Sequence, residues 1–137
     1  RRSARTEVLY VNMSCYNHAG YRAGSFRVEE VAHGQMSRAM VGGSFGCGGS
    51  LALGYPVPRQ WRPGLKVKVR WNTYAPGATE PTWHEKYTTI LPYAQPGSLH
   101  VHFFPGDEVR VVVSTPDVGH PLHPIAKDAV APPPEIE

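Results

Sequence analysis

A chain of 137 residues with a formal net charge of +3 is one domain's worth of sequence, and a domain of about this size buries roughly two-thirds of its unfolded surface. Hydrophobic residues at 41% exclude a disordered chain, and no apolar run approaches the roughly 18 residues a spanning helix needs. Fourteen glycines and 14 prolines beside 18% charged residues favour short strands and turns over solvated helices, and the modest net charge does not by itself imply nucleic acid.

Residues 1–7, with Arg1, Arg2 and Arg5, read as a flexible lead-in left after removal of a leader. Residues 8–13 and 25–28 give the first two strand candidates. Between 29 and 40, Val31, Met36 and Met40 fall roughly at helical spacing, which marks the one helix candidate; Gly34 interrupts it. Residues 42–49 are glycine-rich, as in a wide contact loop or a bulged strand. Within them Gly42 to Gly46 matches G-x-S-x-G. A nucleophile elbow needs a helix after its serine, and Gly48, Gly49 and Ser50 do not begin one. Cys15 and Cys47 are a candidate disulfide that would close a loop of about 32 residues, or else two free thiols. No second CxxC-type pair supports a zinc site.

Residues 50–53 form a weak strand candidate. Arg59, Arg62, Lys66, Lys68 and Arg70 then make a basic run bracketed by Trp61 and Trp71. Within it Leu65, Val67, Val69 and Trp71 alternate with the cations, so this strand buries one face and leaves the other cationic. That face fits a solvated strand side that discourages edge pairing, a docking face for protein or anionic lipid, or, more remotely, a nucleic-acid contact. Residues 87–91 are a further candidate. Residues 99–104 and 108–114 flank Pro105, Gly106 and Asp107, a strong hairpin signal. His100 and His102 lie two apart, a usable metal-ligand spacing with which His120 and His123 could converge. Because Leu99, Val101 and Phe103 alternate with them, the two read as the polar side of a strand, and no metal or cofactor is assigned. Pro132, Pro133 and Pro134 cannot join a ladder and suggest an extended tail.

Together these elements predict an all-β, single-domain sandwich or barrel-like fold of about seven short, mainly antiparallel strands. The domain is expected over 8–124, with a proline-rich tail at 125–137.

Several blocks then carry a family resemblance: Tyr16-Asn17-His18; Ser25-Phe26-x-Val28; Gly42-Gly43-Ser44-Phe45-x-Cys47; Pro58-Arg59-x-Trp61-Arg62-Pro63-Gly64-Leu65; Leu91-Pro92-Tyr93; and His102-Phe103-x-Pro105-Gly106-Asp107. In this order they resemble a family of small bacterial lipoproteins long catalogued as a domain of unknown function. Its members are often encoded beside type VI secretion phospholipase effectors, and some act as immunity proteins. The resemblance implies a non-enzymatic periplasmic protein, lipid-anchored through a removed N-terminal segment. Such a protein would neutralise a cognate lipase, of phospholipase D type, by occluding its substrate entrance. No cofactor and no nucleic acid are implied. The glycine loop departs from the family, whose adjacent cysteines are replaced here by Cys47-Gly48. Asn17, His18, Ser44, Phe45, Arg59, Trp61 and Arg62 are the expected partner contacts, chosen for predicted loops and the cationic approach to the clearest strand. The alternative is a cell-envelope module that binds anionic lipid or glycan through the cationic strand face.

Overall fold

In the computed structural model, residues 8–19, 25–32, 35–44 and 52–134 are described. Among them are eight strands: β1 (Val8–Asn17), β2 (Ser25–Ala32), β3 (Gln35–Ser44), β4 (Ala52–Pro58), β5 (Lys66–Thr73), β6 (Thr82–Thr89), β7 (Ser98–Phe104) and β8 (Glu108–Ser114). No helix among the described residues is long and apolar enough to cross a membrane. The strands form two four-stranded sheets, β4-β1-β7-β8 (sheet A) and β3-β2-β5-β6 (sheet B). All pairings are antiparallel except β1 with β7, which run parallel. The all-β sandwich expected from composition and alternation is therefore the fold, with one strand more than the approximate count.

The extra strand lies where a helix was the candidate. Residues 29–40 run instead into the antiparallel pair β2 and β3. The pairing slips between Glu30 and Val31, where Ser37 is an extra residue on β3, while β2 pairs with β5 without a break, so Val28 and Val31 are buried on opposite faces of β2. The bulge in β3 sets Met36 against Val31 and Met40 against Val28, and this uneven placing of apolar residues resembles helical spacing. β4 starts two residues later than the candidate at 50–53 and runs on through Pro56 and Pro58. It can hold them because it is an edge strand, where one side of the backbone needs no donor.

The core between the sheets is built by alternation. Sheet A contributes Met13, Cys15, Val57, Leu99, Val101, Phe103, Val109, Val111 and Val113; sheet B contributes Phe26, Val28, Val67, Val69 and Trp71. Phe103 bridges the layers, its ring 5.4 Å from Phe26 and 5.5 Å from Trp71. Cys15 is buried and disulfide-bonded; Cys47, its expected partner, lies outside the described residues. The β7–β8 hairpin turns on Gly106 (φ 81°) and Asp107 (φ 60°), as the Pro-Gly-Asp signal required.

A second, smaller core sits on the outer face of sheet A. Phe104 and Val112 point away from the sandwich and are covered by Ile125, with Leu91 and Ala129 against them. Residues 115–134 thus fold back over the sheet, and the Arg110 Nε–H fastens them by donating to Pro133 O at 2.7 Å. The expected boundary at 124 therefore cuts through a packed segment. Proline has no N–H for a ladder, yet its carbonyl still accepts, and two exposed apolar side chains needed a cover.

Candidate functional site

The seven residues expected to contact a partner do not form one patch. β1 is antiparallel to β4, so Val8 pairs with Pro58 while Asn17 pairs with Phe103 at the strand's other end. Arg59, Trp61 and Arg62 follow β4 directly and so lie at the far end from Asn17 and His18, roughly 30 Å along the strand. Ser44 pairs with Ser25 next to Phe26, at the Asn17 end. Phe45 lies outside the described residues.

Their local roles differ as well. Asn17 Oδ1 accepts from the Ala19 N–H at 3.0 Å, a turn contact. The half-buried Trp61 donates its indole N–H to Ile90 O at 2.8 Å. This anchors the β4–β5 connection beside Tyr93, whose hydroxyl donates to Pro58 O at 2.6 Å. Burial pushes the Tyr93 phenol up to about 12, against a smaller opposite effect of the Arg62 charge. Arg59 and Arg62 are exposed.

The outer face of β5 and β6 in sheet B interleaves exposed aromatics with cations among the described residues. In the β5–β6 register Lys68 faces Tyr87, Arg70 faces Glu85 and Asn72 faces Trp83. Trp83 is 52% exposed and Tyr87 48%. The Arg70 guanidinium lies 5.0 Å from the Trp83 ring centre, and the Lys66 and Lys68 ammonium groups lie 5.9 and 5.8 Å from that of Tyr87. Lys68 also pairs with the buried Glu29 at 3.4 Å, and Glu85 lies within 4.0 Å of Lys68 and 3.6 Å of Arg70. The face read as cationic is thus a lattice of cations, aromatics and two carboxylates. Trp83 escaped the sequence reading because the strand candidate began at 87, whereas β6 begins at Thr82. The alternation Trp83, Glu85, Tyr87 was the available signal.

A second cluster lies between sheet A and residues 115–134. His18 stacks on Phe104 with centroids 4.3 Å apart and planes 2° from parallel. It also reaches Ala129 O at 3.0 Å and His102 Nδ1 at 2.8 Å. His102 reaches His123 Nε2 at 3.0 Å, and the His123 Nδ1–H donates to Pro116 O at 2.9 Å. His100 sits beside them, bonded to Ser14 Oγ and Ser114 O. Burial lowers the proton affinity of His18, His100 and His102, the last to about 2, with the neighbouring rings adding to it. The expectation that His100 and His102 form a polar strand side holds for the alternation but not for solvent, since both are buried. His100, His102 and His123 do converge, while His120 stays exposed and accepts from the Leu122 N–H. Among the described residues no group is arranged to hold a metal ion. Beside the cluster a cleft of about 810 Å³ is lined by Tyr16, His120, His123, Lys127 and Asp128 among others.

Residues 16–111 fit a family described as Protein of unknown function (DUF3304). No curated protein and no solved structure gives a significant match.

Proposed function

The chain belongs to this family of proteins of unknown function, DUF3304, and from that premise we propose that it is a periplasmic immunity protein, lipid-anchored in its full-length form. It binds a cognate type VI secretion lipase effector, of phospholipase D type, and blocks that enzyme's substrate entrance. The observation that supports a binding role is the outer face of sheet B. Exposed Trp83 and Tyr87 beside Arg70, on two strands paired along their whole length, are residue types enriched in interface hot spots. The scaffold also favours tight binding, because side chains on paired strands lose little freedom on association. This face replaces the scattered loop residues as the main contact surface. The lipase class and the envelope location rest on the family resemblance in the sequence.

Co-expression with the effector encoded beside the gene tests the reading. A stable complex and protection of cells from the toxin are expected. Trp83→Ala is expected to weaken the complex at least about tenfold, with the thermal transition little changed. Failure of the pair to associate ends the proposal. Binding to anionic vesicles or glycans that is lost on charge reversal at Lys66, Lys68 and Arg70, without any complex, assigns the face to the cell envelope instead.

A further inference from the structure

The histidines between sheet A and residues 115–134 form a chain whose proton count does not close. Its two ends are carbonyl oxygens, Ala129 O and Pro116 O, which only accept, so the Nδ1 atoms of His18 and His123 must both carry hydrogen. Between the ends lie two nitrogen–nitrogen contacts, His18 Nε2 to His102 Nδ1 at 2.8 Å and His102 Nε2 to His123 Nε2 at 3.0 Å. These four contacts need four hydrogens, and three neutral imidazoles supply three. In the neutral chain one contact therefore sets lone pair against lone pair. One added proton completes every bond. A second makes two N–H groups face each other across one nitrogen–nitrogen contact. His100 lacks this conflict: its Nε2–H donates to Ser114 O while Nδ1 accepts from the Ser14 hydroxyl.

Both carbonyl ends, and His123 itself, belong to the segment that covers Phe104 and Val112. We infer that His18, His102 and His123 form a proton latch: the closed chain accommodates one added proton, and further protonation releases residues 115–134 from sheet A and uncovers Phe104 and Val112.

The surroundings set the direction. Arg110 stands opposite His102 in the β7–β8 register but is paired with the Glu108 carboxylate at 3.2 Å, and Lys127 lines the cleft beside His123. From β1 Tyr16 lies against His18 and His102, and from β7 His100 lies against His123, its own hydrogen bonds going to Ser14 and Ser114. The covering segment brings the His120 ring and the carboxylates of Asp117 and Asp128, and among the described residues neither carboxylate forms an ion pair with the three rings, Asp117 acting instead on His100. Burial lowers the proton affinity of His18 and His102 in the closed form, whereas the released form has these rings in water. The released form thus binds more protons, and acidification drives release.

Hydrogen exchange on the full chain between about pH 7.5 and about pH 5 tests this across the range where free histidines titrate. Rates are expressed as protection factors, corrected for the intrinsic effect of pH. Backbone amides of residues 118–130 are expected to lose protection at least about tenfold while β7 and β8 keep theirs. Ring nitrogen shifts are expected to show one proton entering the three rings before that loss. His123→Gln should flatten the pH response, and His120→Gln, outside the chain, should retain it. Constant protection of the segment in wild type, its loss together with the core strands, or an undiminished response in His123→Gln overturns the latch. Should His123→Gln not fold, the wild-type protection and ring titration decide alone.

Discussion

Thr88 places a hydroxyl where the core has no use for one. It is buried opposite Val67, and its Oγ1 has no hydrogen-bond partner. Replacing it with the isosteric valine removes the desolvation cost without leaving a void, so Thr88→Val is expected to raise stability by about 1 kcal/mol in urea unfolding. An unchanged midpoint would mean that the hydroxyl finds a partner in solution. Single residues of this kind were poorly legible in the sequence, because partners come from strands distant in the chain. Glu29, for example, is buried against Lys68 from β5. His100 and His102 were correctly placed on the face opposite Leu99 and Val101. Their burial could not be read, since it depends on a segment more than ten residues downstream.

Elements were more legible wherever turn chemistry and alternation agreed. The β7–β8 hairpin is the clearest case: Pro105, Gly106 and Asp107 fix the turn, and the valines on either side fix the face. β2 and β3 were obscured by the bulge at Ser37 in β3, and β6 because Trp83 and Tyr87 point outward and give no core signal. One requirement of these elements appears only in three dimensions. At Gly97, just before β7, a Cβ would lie 2.5 Å from Thr115 N and 2.6 Å from Ser114 C, both of them backbone. No side-chain movement relieves that contact. Gly97→Ala is therefore expected to destabilise the fold by about 2–3 kcal/mol, read as a lower denaturation midpoint with unchanged slope. A midpoint within error of wild type would show that the end of β8 gives way freely.

At the scale of the molecule, composition and period were enough for an all-β domain of two layers, and the family of unknown function was legible from its sequence blocks. The third layer was not, because proline-rich ends usually stay solvated. Removing residues 116–137 tests whether that layer belongs to the fold. Phe104, Val112 and the histidine chain would lose their cover, so a lowered melting temperature and increased binding of a hydrophobic dye are expected. A truncated protein as stable as the full chain would make the segment an ornament. The parallel ladder between β1 and β7 carries a consequence of another kind. Met13 pairs with Leu99 and Asn17 with Phe103, so the middle of sheet A joins strands some 86 residues apart. While the chain emerges from a ribosome or a translocation pore, β1 has no neighbour on that side until β7 follows. The strands of sheet B can assemble earlier, and closing the long loop is then the slow step, in the millisecond-to-second range typical of non-local β topologies. During that interval β1 is an unsheltered edge.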